Sequence, residues 1–132
     1  MALMGVNGKM DIVTLIWNNI TQPKHRFIVW LVVKYRLLTQ ERLAHLQIQV
    51  ENANCCLCNS GIMETPQHLF GECSWFKTAR EALLSWAGIQ MQHVTVNQVF
   101  KSIRWKHWKH IQKEIVASIW SDLVYHTWRA RN

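Results

Sequence analysis

Long apolar stretches are scarce in this chain of 132 residues. The longest, FIVWLVV at residues 27–33, is far shorter than the roughly 20 residues that cross a bilayer as a helix, so no membrane span is expected. The first residues, MALMGVNGKM, lack the basic start, apolar middle and small-residue cleavage site of a secretory signal. The expected location is the nucleus or cytoplasm, reducing surroundings in which stable disulfides are disfavoured. Low-complexity tracts, long linkers and internal repeats are also missing. One domain over residues 1–132 is therefore expected, with 1–10 flexible. Acidic residues are few: 8 Asp and Glu against 15 Lys and Arg leave a net charge of +7. Such a balance favours acidic partners, nucleic acid or anionic lipid, and says nothing about fold.

Hydrophobic residues make up 49% of the chain and 8 residues are Trp, enough for an aromatic-rich core. The spacing predicts a mostly α fold. Residues 11–20 read as a short helix. A second begins with Thr21 as cap and Pro23 in the first turn, where its missing N–H does no harm. Its segment 27–38 is apolar nearly all round, which predicts burial between other helices, although β-branched residues keep a strand in play for FIVWLVV. Thr39 reads as the cap of a short helix to Gln47. Residues 74–88 read as a helix with Ser74 as cap, apolar positions at 75, 76, 79, 83 and 86, and Gly88 as the stop. A short helix over 96–103 precedes a long terminal one over 105–132. The stripe expected on it is Trp108, Ile111, Ile115, Ile119 and Leu123, widened by Val116, Trp120 and Val124.

All four cysteines fall between Asn54 and Cys73, in NCCLCNSGIMETPQHLFGEC. Cys55 and Cys58 form a C-x2-C step, and His68 and Cys73 an H-x4-C step. Two such pairs can converge on one Zn²⁺, which takes four S or N ligands tetrahedrally. A Gly-containing loop separates them. Thr65 as cap and Pro66 at the first position then place His68 on a helix. Cys56 reads as a small apolar filler between ligands. Buried free thiols and a disulfide are the alternatives. Catalytic zinc keeps an open position beside three protein ligands, whereas this set supplies four, so a structural zinc and no enzymatic activity are expected. Glu64 reads as a hydrogen-bond acceptor at the start of the His68 helix rather than as a general base.

These residues carry a family resemblance. PKHRFIVWL, RLLTQERL, CCLC, METPQHLFGEC and the closing TWRARN resemble, in order, the zinc-binding domain that follows the polymerase in reverse transcriptases of plant LINE-type retrotransposons. The resemblance implies Cys55, Cys58, His68 and Cys73 as zinc ligands, with Lys24, Phe27, Trp30, Leu37, Thr39, Leu43, Glu64, Leu69 and Phe70 as further landmarks. The chain contains no Y-x-D-D polymerase signature and nothing like the parent element's endonuclease, so it reads as the module alone. The expected fold is a small single helical domain stapled by one Cys3His zinc site.

The segment RWKHWKHIQK, residues 104–113, interleaves Trp105 and Trp108 with Lys106, Lys109 and Lys113. On a continuous helix the three lysines would share one face and could follow a phosphate backbone. With Arg104, Arg129 and Arg131 they form the expected interface for RNA or single-stranded DNA, Trp105 being the stacking candidate and Trp30, Trp86, Trp108, Trp120 and Trp128 core. The alternative is a protein-interaction or scaffold module whose Trp-rich terminal helix docks a partner or a second copy.

Overall fold

A computed structural model describes residues 12–49, 52–91 and 95–131, so the expectations for 1–10 and for Asp11 lie outside the described residues. Among the described residues six α-helices and one π turn follow one another: α1 (Ile12–Ile16), α2 (Pro23–Val33), α3 (Gln40–His45), the π turn (His68–Glu72), α4 (Ser74–Ala87), α5 (Val96–Trp105) and α6 (His110–Arg131). Among the described residues no strand forms, only an isolated antiparallel bridge between Asn54 and Met63. The fold is mostly α, as expected, and FIVWLVV is helical. Among the described residues no helix is long and apolar enough to cross a membrane.

Pro23 opens α2 as its fixed φ allows, but Gln22 precedes it and Thr21 is not the cap. Thr21 instead donates from its N–H and its hydroxyl to Asn18 Oδ1, at 2.9 and 3.1 Å, tying down the α1–α2 loop. The helix stops at Val33, short of Leu38. Tyr35 comes two residues later with φ 57, a left-handed conformation that cannot continue an α-helix. Only His25, Val29 and Val32 of α2 are buried, and Phe27 is half exposed, so the expectation of burial all round fails. Thr39 does cap α3, its Oγ1 accepting from the Arg42 N–H at 3.3 Å.

Helix α4 starts at Ser74, with Cys73 in the capping position, and ends on Gly88 at φ 70, where the absence of a Cβ removes the cost of that conformation. Its buried residues are Phe76 and Leu84, with Ala79 and Leu83 partly covered, one stripe at i, i+3, i+7 and i+8. Trp86 lies off that stripe and is 81% exposed, not core. Helix α5 opens with a reciprocal capping box between Thr95 and Gln98.

The long terminal helix expected over 105–132 forms but begins later, at His110, and the short helix expected over 96–103 extends to Trp105. Trp105 ends α5, and Lys106 turns extended at ψ 152. A new start comes at His110, where the Lys109 N–H donates to Gln112 Oε1 at 2.8 Å. Helix α6 then runs through the middle of the molecule, with α2 packed most extensively along it and α1, α5 and α4 against other parts of its surface. Its buried face is Lys113, Val116, Ala117, Trp120, Ser121, Leu123, Val124 and Thr127. Ile111 and Ile115, expected in the stripe, are exposed. The polar members of that face return their hydrogen bonds to backbone: Ser121 Oγ donates to the Ala117 carbonyl and Thr127 Oγ1 to the Leu123 carbonyl, both at 2.8 Å. Phe70, Phe76 and Trp120 stack edge to face in series, with centroids 6.3 Å apart at each step. Fully buried rings of this kind each contribute about 1.5–3 kcal/mol by burial alone. This aromatic column joins α6 and α4 to the π turn, and so to the metal centre.

Candidate metal centre

The first ligand pair sits on a small hairpin. Cys55 N–H donates to the Ile62 carbonyl and Glu64 N–H to the Ala53 carbonyl, each at 2.8 Å, flanking the Asn54–Met63 bridge. The loop closes through Asn59 at φ 51 and Gly61 at φ 79, residue types that tolerate the left-handed region.

The second pair depends on the π turn. In an α-helix, residues five apart lie roughly 140° apart around the axis, which would separate His68 from Cys73. Here the Cys73 N–H donates to the His68 carbonyl at 2.7 Å, five residues back, with a kink at Phe70 (φ −110, ψ 24). The wider winding brings both side chains to one side, a device that recurs at functional sites. Thr65 Oγ1 caps the segment, accepting from the His68 N–H at 3.0 Å. Cys73 also occupies the N-terminal end of α4.

The donor atoms of Cys55, Cys58, His68 and Cys73 all lie within 4.8 Å of one another. A tetrahedral zinc bound to thiolate sulfur and imidazole nitrogen has edges of about 3.8 Å between sulfurs and about 3.6 Å from sulfur to nitrogen. The Cys55 and Cys73 sulfurs are 3.8 Å apart, and Cys58 Sγ lies 3.3 Å from His68 Nε2. Cys55, His68 and Cys73 are buried. All four cysteines are unpaired by disulfide, which removes that alternative. Burial pushes the Cys55 thiol up to about 12, reinforced by Cys73 beside it, so a thiolate there needs a cation to compensate it. At the rim, the Ser60 hydroxyl, 3.0 Å from Cys58 Sγ, draws that thiol down to about 6. His68 Nδ1 is buried without a hydrogen-bond partner, and coordination through Nε2 leaves the proton on it. The four donors fit one structural zinc, with no position left for substrate water. Cys56 is exposed rather than an apolar filler, its Sγ 3.5 Å from the Arg131 carbonyl oxygen.

Glu64 does not cap the His68 segment; Thr65 does. The Glu64 side chain, 1% exposed, accepts from the Gln40 N–H at the start of α3 at 2.7 Å. Arg131 grips both carboxylate oxygens, Nε to Oε2 at 2.7 Å and Nη2 to Oε1 at 2.6 Å. The guanidinium also donates to the Leu38 carbonyl at 3.2 Å and lies 4.2 Å from the centre of the Trp128 ring. A paired, fully hydrogen-bonded carboxylate thus joins the zinc hairpin, α3 and the end of α6. A separation of 67 residues hides this pair from any local pattern.

The residues of the expected basic interface divide. Lys113 is 6% exposed and its Nζ donates to the Arg104 carbonyl at 2.8 Å, holding the α5–α6 corner from inside. It does not share an outer face with Lys106 and Lys109, because the helix assumed for that stripe is interrupted between them. Arg131 is engaged with Glu64, and Arg129 is exposed near the end of α6. Arg104, Trp105, Lys106 and Lys109 remain together at the corner. The Arg104 guanidinium lies 5.2 Å from the Trp105 ring centre and Lys106 Nζ 5.7 Å from that of Trp108. Trp105 is 58% exposed and, with Gln98, Lys101, Ser102 and Lys106, lines an open depression of about 480 Å³.

A small helical domain closed around a Cys3His centre is a zinc-binding domain of the structural kind. A family model described as zinc-binding in reverse transcriptase matches residues 2–79, and the chain belongs to that family. The match takes in all four ligands and ends within α4, so α5 and α6 lie beyond it. No curated protein and no solved structure matches the chain.

Proposed function

We propose that this domain is a non-enzymatic module from a plant LINE-type retrotransposon that binds RNA or single-stranded DNA in the nucleus or cytoplasm. The observation that carries the reading is the α5–α6 corner, where a half-exposed indole is flanked by cations. Trp105 stands between Arg104 and Lys106, with Lys101 on the same depression and Lys109 exposed in the connection. Aromatic faces stack bases without regard to sequence while surrounding cations meet phosphates. The net charge of +7 supports association with a polyanion. Four phosphate contacts on a single strand would weaken binding about 50-fold between 50 and 200 mM salt.

The test is anisotropy with a mixed-sequence single strand at both salt concentrations. The combined substitution Lys101→Glu, Lys106→Glu and Lys109→Glu should abolish salt-sensitive binding while zinc content and helicity persist. Trp105→Ala should cost about 1–3 kcal/mol of binding. Parent-level affinity in the triple variant, or salt-insensitive binding by the parent, would reject the reading. In that event the protein-interaction module takes its place. It is favoured by the exposed pair Ile111 and Ile115, one turn apart on α6, rather than by that helix's tryptophans, since Trp120 is buried and Trp128 packs against the core.

A further inference from the structure

A second group of metal-ligating side chains lies where α2 crosses α6, separate from the cysteine centre. Asp122 and His126 stand one turn apart on α6, so their side chains project from the same face. His25 reaches the same place from α2. His126 Nε2 is 3.2 Å and His25 Nδ1 is 3.5 Å from a single atom, Asp122 Oδ1. One donor atom from each residue lies within 4.8 Å of the other two.

We propose that His25, Asp122 and His126 form a second metal site, open on one side, that takes one divalent transition-metal ion of the zinc, cobalt or nickel type. Two imidazoles and one carboxylate suit these ions by ligand type, and three protein ligands leave coordination positions free. With bonds of about 2.1 Å, the nitrogen–oxygen edge of such a site is about 3.0 Å at octahedral and 3.4 Å at tetrahedral angles. The observed 3.2 and 3.5 Å lie close to that range.

The ligands differ in freedom. His25 is buried, and its ring is stacked on Tyr125 with centroids 4.4 Å apart, which fixes the imidazole plane. Asp122 and His126 are about half exposed. Lys24, a cation close enough to act on His25, has its ammonium 5.2 Å from the Tyr125 ring centre. Beside His25 and Asp122 opens a pocket of about 270 Å³, walled by Ile20, Leu83, Trp86 and Ile119. It gives an exchangeable ligand on the metal room, against an indole that the core leaves uncovered.

The experiment uses the full chain with its structural zinc in place, titrated with Ni²⁺ by calorimetry and then desalted for elemental analysis. The expected result is one bound nickel per chain with zinc unchanged at one, and a thermal midpoint that rises with added nickel. His126→Ala and Asp122→Asn, both at exposed positions, should each lose the nickel equivalent and the midpoint rise while keeping zinc. His110→Ala should keep both, which separates this site from the exposed His110–Glu114 pair at 3.7 Å. Absence of the nickel equivalent in the parent, or its survival in both His126→Ala and Asp122→Asn, would overturn the proposal and leave the cluster as a polar contact between helices.

Discussion

Removing the Arg131 side chain should unfasten the molecule at a point remote from the metal ligands in sequence. Glu64 is buried at 1% exposure and receives two guanidinium hydrogen bonds, at 2.6 and 2.7 Å. In Arg131→Ala the carboxylate keeps the Gln40 N–H as a donor but loses its cation. Opposite charges at about 4 Å interact by about 4 kcal/mol at an effective dielectric of 20, and breaking a buried pair by removing one partner costs about 3–5 kcal/mol. For a domain of this size that loss lowers the thermal midpoint by about 10–18 °C. Glu64→Gln preserves volume and an acceptor for Gln40, and leaves a guanidinium closer to solvent, so its cost should be about 1–3 kcal/mol. Arg131→Ala also removes the contacts to Trp128 and the Leu38 carbonyl, so the pair is isolated by a double-mutant cycle. Urea unfolding of the parent, both single variants and the double variant, each with zinc bound, supplies the four free energies. The double variant should fall short of the sum of the singles by at least about 1 kcal/mol. High salt should restore little, because buried pairs are weakly screened. A midpoint drop below about 3 °C in Arg131→Ala, or strict additivity in the cycle, would refute this account of the clamp.

Elemental analysis should find one zinc per chain, lost in Cys58→Ser and Cys73→Ser but retained in Cys56→Ser, whose thiol lies outside the ligand set; excess chelator should lower the thermal midpoint because metal binding is coupled to folding. Lys113→Met should destabilise by about 1–3 kcal/mol, since the Arg104 carbonyl loses its buried donor, and leave single-strand binding unchanged; loss of binding without loss of stability would return Lys113 to the surface. Phe76→Ala should cost about 3–5 kcal/mol in denaturant unfolding by emptying the middle of the aromatic column, whereas Trp86→Ala should stay within about 0.5 kcal/mol of the parent.

The metal ligands were legible in the sequence because zinc demands residue types as well as spacing, and Cys55, Cys58, His68 and Cys73 satisfy both. Caps were legible where a side chain closes a local ring, as at Thr39 and Thr65, and so was the stop at Gly88. On α6, Val116, Trp120, Leu123 and Val124 are buried as expected, but the rest of the face was misread for a physical reason. Its buried stripe includes Lys113, Ser121 and Thr127, which look solvent-facing until their polar atoms are seen bonded to nearby carbonyls. Ile111 and Ile115 offered a cleaner apolar pattern on the wrong side. The sequence places the break between α5 and α6 near residue 104, whereas it falls at 106–109; no Pro or Gly marks that stretch, so nothing local fixed its position. Glu64–Arg131 and the His25, Asp122 and His126 cluster depend on packing between distant segments, which spacing along one chain does not encode.

The π turn at His68–Glu72 makes the spacing between the last two ligands a phase setting for helix α4. Deleting one residue from that turn would give His68 and the next cysteine ordinary α-helical spacing, and both could still meet a metal. Helix α4 would then emerge rotated by about 100°, carrying Phe76 and Leu84 away from Trp120 and turning polar side chains toward it. Length changes in descendants of this sequence should therefore accumulate in the hairpin loop at residues 59–61, where no later helix depends on register, and should be purged between 68 and 73.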